Sequence, residues 1–246
     1  MIVCQDADVL VLLIHFAEKL CQETWFKAGT TRHHRNIKIH SIDMPLDVRR
    51  NLVAFHAITG CDTVSSFCGI GKKRAWKVFL KHPHLLQNLG LGEITTETVA
   101  RAEEFVCHLY QPNSPLTSIN RVRSKMFQKG MKELENLPPT ADALKQHILR
   151  AHFQAAVWRS ANIPQPDIPV PTDSGWSLVQ DSLLPVLTTA NAVTTEYTPL
   201  LTCRCTNCAT SKCSCRSKFL RCIAACQCSE HLCHNPYNPA IDDEEN

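Results

Sequence analysis

The chain has 246 residues, 26 Lys and Arg against 23 Asp and Glu, a formal net charge of +3 and 44% hydrophobic residues. That length holds one or two domains with a real core, and so mild a basic bias does not by itself argue for a nucleic-acid partner. No apolar run approaches the roughly 18 residues that cross a bilayer and no cleavable leader pattern opens the sequence, so neither a membrane partner nor a secreted disulfide scaffold is expected.

Residues 1–16 read MIVCQDADVLVLLIHF. The pattern predicts a short buried strand ending at Asp6 and Asp8, followed by a helix. Two carboxylates one residue apart at a strand end can share hard cations such as Mg²⁺, as two-metal phosphodiester chemistry requires; two acids at a helix N-terminus are the plainer alternative. Residues 25–41 predict a β-hairpin with a half-buried second strand, in which His33, His34 and His40 read as solvated turn residues rather than ligands. Pro45 ends that strand, and Asp47 is placed as the N-cap of the next helix.

Residues 52–80, LVAFHAITGCDTVSSFCGIGKKRAWKVFL, contain two helical patterns separated by a polar, glycine-bearing turn. Gly69 and Gly71 let a backbone approach closely, a helix N-terminus favours phosphate, and Lys72, Lys73 and Arg74 add sequence-independent attraction to a nucleic acid. A helical hairpin packed only on its own domain would use the same glycines.

The string GCDTVSSFCGIGKKRAWKV resembles the helix-two-turn-helix segment of the flap endonuclease family of PIN-like 5′ nucleases, here spanning about residues 48–81. The resemblance implies that Asp6, Asp8 and Asp62 are metal-site carboxylates for Mg²⁺, and that Gly69, Gly71, Lys72, Lys73 and Arg74 grip DNA. The family also draws carboxylates from an earlier half, and only five residues come before Asp6. The expectation is therefore an N-terminally truncated nuclease domain with an incomplete metal site, which binds DNA more readily than it cleaves it.

Further on, residues 95–110, 119–137 and 141–158 predict helices, the second made basic by Arg121, Arg123, Lys125, Lys129 and Lys132. His147, Arg150 and His152 lack the H-E-x-x-H spacing and are assigned no catalysis. The proline-rich stretch 163–171 is placed as the domain boundary, and the connector after it is weakly patterned, with Trp176 as a docking residue.

Nine of the 14 cysteines lie in the tail: Cys203, Cys205, Cys208, Cys213, Cys215, Cys222, Cys226, Cys228 and Cys233. So dense an array with few apolar neighbours requires metal rather than a hydrophobic core. Zinc suits soft thiolates, and three ions can share nine thiolates if three of them each bridge two ions. The repeated C-x-C pairs and the closing C-H-N resemble half of a tesmin-type CXC domain, a zinc-thiolate DNA-binding module. That resemblance implies that Lys218 and Phe219, in the turn between the pairs, enter the DNA. Metal storage is the alternative use of such a tail, weakened by the interleaved arginines.

The expected architecture is an α/β remnant of a PIN-like nuclease domain, mostly helical after residue 46 (1–160). A connector (161–200), a small irregular zinc-cluster domain (201–238) and an acidic tail (239–246) follow. A nuclear, DNA-binding, mobile-element-derived protein fits this combination.

Overall fold

The computed structural model describes residues 1–29, 34–128, 134–190, 202–218, 220–222, 226–228 and 233–236. The chain forms two compact units, Met1–Thr189 and Ala190–Asn246. The first therefore runs past the proline-rich stretch where the boundary was expected.

That unit is mixed α/β with few strands. Strand β1 (Ile2–Val3) lies parallel to β2 (Trp25–Gly29), which pairs antiparallel with β3 (His34–Lys38) in the register Phe26↔Ile37. Helix α1 (Ala7–His15) lies between β1 and β2 in the chain. Leu13, Ala17, Phe26 and Ile39 form a small core there. The predicted strand and helix both form, but β1 is exposed rather than buried: Val3 is 70% accessible because α1 and β2 do not cover it.

The larger core is helical. It joins α2 (Leu46–Ile58), α3 (Lys72–Phe79), α4 (Thr96–Tyr110), α5 (Ile119–Gln128) and α6 (Ala141–Arg159). Thr95 and Thr140 cap α4 and α6 by accepting the amides of Thr98 and Ala143, which sets both starts where the sequence placed them. Helix α2 starts two residues earlier than expected, with Pro45 as N-cap. Asp47 instead sits in the first turn, accepting the Val48 amide.

Helices α2 and α3 meet through a stacked Phe55–Phe79 pair, ring centroids 4.6 Å apart, with Trp76 edge-on to Phe55. The turn between them is packed rather than merely polar: Val64, Phe67 and Ile70 are all buried in the same core. Gly60, at φ +104°, has to be glycine, since a Cβ there would come within 2.8 Å of Ser66 Cβ.

The predicted connector contains structure that its pattern did not reveal. Strands β4 (Trp176–Val179) and β5 (Ser182–Pro185) form a hairpin through Gln180 and Asp181, both at positive φ. Arg150 of α6 holds it, donating to the Gly175 and Val186 carbonyls and lying over the Trp176 ring. Trp176 docks as expected. Among the described residues no helix is long and apolar enough to cross a membrane.

Helix α6 carries two buried histidines. The Nε2–H of His147 donates to the Ile58 carbonyl at 2.8 Å while the Ser65 hydroxyl faces Nδ1; the Gly90 amide donates to Nδ1 of His152, whose Nε2–H donates to Gly92. Burial pushes His147 down to about 4 and lowers His152 as well, so both are neutral in the fold. The unfolded chain takes up these protons near pH 6.5, so the stability they contribute is complete above that pH and is lost as pH falls toward 4. Urea unfolding should show stability falling by about 2 kcal/mol at pH 5 relative to pH 7.5 from His147 alone, and His147→Gln should reduce that difference.

Candidate functional site

Two regions concentrate the chemistry: the α2–α3 hairpin with the start of α1, and the cysteine-rich unit.

Asp6 is the N-cap of α1, its Oδ1 accepting the Asp8 amide at 2.8 Å. Asp8 Oδ1 accepts from Nε2–H of His56 at 2.7 Å, which ties α1 to the last turns of α2. Asp62 stands exposed in the tight turn 61–64, closed by paired backbone bonds between Cys61 and Val64. The three carboxylates expected to share Mg²⁺ are not gathered. Among the described residues, every group of three or more potential ligand atoms within 4.8 Å of one another consists of cysteines. Local backbone demand explains this: Asp6 satisfies a helix terminus and Asp8 a buried imidazole.

Lys72 is engaged within its own hairpin. Its Nζ lies 2.8 Å from the His56 carbonyl, 2.5 Å from the Gly60 carbonyl, 2.8 Å from Thr59 Oγ1 and 3.1 Å from His56 Nδ1. The ammonium closes the C-terminal end of α2, where carbonyls have no intrahelical donors. Burial lowers Lys72 to about 8, leaving it charged at neutral pH. Burial, reinforced by the nearby Lys72 charge, also lowers His56, so a neutral imidazole bridges the Asp8 carboxylate and the Lys72 ammonium. The Trp158 ring stacks on it at 5.5 Å.

Lys72 is itself an exposed residue, like the rest of the basic cluster. Lys73, Arg74, Lys77 and Lys81 are exposed along α3 and just beyond it. Arg74, Lys77, Lys81 and His82 line, with Val78 and Pro112, a cavity of about 190 Å³. Arg74 is oriented by donating to the Tyr110 carbonyl at 3.3 Å. His82 stacks flat on His108, centroids 4.4 Å apart. Sequence reasoning stopped at Arg74 and missed Lys77, Lys81 and His82, although the three-to-four spacing of the cations along the helix was the signal. Gly69 needs its glycine for a φ of +70°. Gly71 has an ordinary φ and open space where a Cβ would stand, so packing makes no demand for glycine there.

In the second unit none of the nine thiols is in a disulfide, and they converge. They fall into four overlapping sets of four: Cys203, Cys205, Cys208 and Cys213; Cys203, Cys222, Cys226 and Cys228; Cys203, Cys213, Cys215 and Cys222; and Cys208, Cys222, Cys228 and Cys233. Neighbouring sulfurs stand 3.5 to 3.9 Å apart: Cys203–Cys208 3.5, Cys215–Cys226 3.6, Cys203–Cys222 3.7 and Cys213–Cys222 3.9 Å. A disulfide needs about 2.05 Å, whereas two thiolates on one tetrahedral zinc at about 2.3 Å stand about 3.8 Å apart. The donor set fits soft divalent metal. Asn235 braces it, donating from Nδ2 to the Leu220 carbonyl and to Cys222 Sγ.

Arg204, Lys212, Arg216 and Arg221 are exposed around these sulfurs. Lys218 lies in the short 3₁₀ turn Arg216–Lys218. Phe219, Lys129, Lys132, His33 and the acidic tail 239–246 lie outside the described residues. No protein-family model, curated protein or solved structure matches the chain.

Replacing Lys72 by Met leaves two carbonyls and a hydroxyl without their donor. Urea unfolding of Lys72→Met should show a loss of about 2 to 3 kcal/mol, whereas a lysine serving only as a phosphate contact would leave stability within about 0.5 kcal/mol.

Proposed function

We propose that this protein binds DNA, using a zinc-thiolate module of the tesmin CXC kind and the cationic face of a flap endonuclease-like helical hairpin. The observation that carries the reading is the nest of nine thiols in interlocking sets of four, ringed by exposed arginines and a lysine. Zinc supplies the cross-links that a hydrophobic core would otherwise provide, and nine thiolates hold three ions when three of them bridge. Arg204, Lys212, Arg216 and Arg221, with Lys218 and Phe219 in the turn between the C-x-C pairs, then meet phosphates or a groove.

In the helical unit the phosphate-facing set is Lys73, Arg74, Lys77, Lys81 and the open backbone at Gly69 and Gly71, with Lys72 holding the hairpin's shape from behind. Binding is favoured over Mg²⁺-dependent cleavage because Asp6 and Asp8 already serve a helix cap and a buried histidine, while Asp62 stands exposed on a turn. A nuclear location follows from this reading.

Elemental analysis should find three zinc ions per chain, and strong chelation should collapse the amide spectrum of residues 202–236. Fluorescence anisotropy with labelled duplex should show affinity falling steeply between about 50 and 200 mM salt, and Lys77→Glu with Lys81→Glu should weaken it by about tenfold or more. Salt-insensitive binding, or Mg²⁺-dependent cleavage of a 5′-flap duplex that disappears in Asp62→Ala, would overturn the binding-only reading.

A further inference from the structure

Away from the hairpin, at the opposite end of α2, a cleft of about 560 Å³ opens between the first turns of α2, residues 87–91 and the end of α6. Its lining is Leu46, Asp47, Arg50, Asn51, Gln87, Leu91 and Arg159. That volume lies in the range of small-molecule sites, about 300 to 1,000 Å³.

Arg159 is fixed in the wall. Its Nε donates to the Leu89 carbonyl at 3.0 Å, one terminal nitrogen to the Arg50 carbonyl at 2.9 Å and the other to Asn51 Oδ1 at 3.4 Å. Every one of these partners is neutral. Burial lowers Arg159 to about 10, as expected of a charge placed in the fold without a counter-ion. Arg50 projects at the exposed rim. Among the described residues no ion pair involves either arginine. The one carboxylate in the lining, Asp47, turns an oxygen back onto the Val48 amide at 2.9 Å.

The cleft thus presents two guanidinium groups and a single carboxylate engaged with backbone. Its other wall is apolar: Leu46 and Leu91 are 48% and 51% accessible. Gln87 adds an amide group, whereas the amide of Asn51 is spent on the Pro83 carbonyl and on Arg159. Guanidinium pairs carboxylate or phosphate oxygens in forked geometry, and a bare leucine pair takes an alkyl or aryl body.

We propose that this cleft binds a small organic anion, in which a carboxylate or phosphate is held by Arg50 and Arg159 and a short apolar body lies against Leu46 and Leu91. The site is separate from the cationic face of α3, and its occupancy does not depend on DNA. The carboxylate and phosphate versions share this chemistry and differ only in the head group.

Octanoate and octyl phosphate serve as probes of the two head groups, with inorganic phosphate and octanol as the half-ligands, each titrated calorimetrically into the full zinc-loaded chain. The expected result is saturable binding of one or both amphipathic anions in the millimolar range or tighter, with each half-ligand at least about tenfold weaker. Arg50→Gln and Leu91→Ser, both exposed and away from the core, should each weaken that binding by about tenfold while leaving the circular dichroism and the duplex affinity unchanged. Octanoate binding unaltered by either substitution, octanol binding as tightly as octanoate, or inorganic phosphate matching octyl phosphate would each overturn the proposal.

Discussion

The end of α2 is the point on which the helical unit depends. A helix leaves its last carbonyls without intrahelical donors, and here the chain after α2 turns away into a packed loop instead of ending in solvent. The Thr59 hydroxyl takes Phe55, Lys72 takes His56 and Gly60, and His147 takes Ile58. The helix's own C-cap, the start of α3 and the distant α6 thus all supply donors to one helix terminus. The Phe55–Phe79 stack supplies burial across the same junction, but the polar pairs fix its geometry. This is why one lysine of the basic run is tied to the end of α2.

The second unit solves a different problem. Its described apolar interior consists almost wholly of cysteine, and sulfur spacings near 3.5 to 3.9 Å would crowd anionic thiolates if no cation lay among them. A bound metal would resolve that repulsion and stand in for the core at once. Because Cys203 and Cys222 each belong to three of the four sets, the sets interlock and cannot fill independently. Loss of either sulfur would affect the whole unit rather than one coordination sphere.

Much of this was legible in the sequence because it rests on local rules. Helical periodicity and threonine caps placed α4 and α6, the alternation around Ile37 placed the first hairpin, and C-x-C spacing pointed to the cysteines that the fold gathers into one cluster. What stayed hidden rests on tertiary partners. Nothing in K-K-R separates Lys72 from Lys73; only the carbonyls of α2 do. For Asp6 and Asp8 the helix terminus was the plainer alternative in the sequence, but a histidine partner 48 residues away leaves no trace in a D-x-D string. The β4–β5 hairpin escaped notice because its turn uses Gln180 and Asp181 at positive φ in place of the Asn-Gly signature, and because Arg150, which holds it, lies in another element.

The bond from His147 to the Ile58 carbonyl spans 89 residues, and it has a temporal side. During synthesis α2 and the hairpin leave the ribosome long before α6 exists, so the carbonyl that His147 will occupy must meanwhile be served by water or by a chaperone. Val64, Phe67 and Ile70, which later seal the turn, wait uncovered over the same interval. The end of α2, and with it the turn that leads into α3, therefore acquires its final partner only when α6 arrives, and a nascent chain paused before residue 147 would carry that turn incomplete.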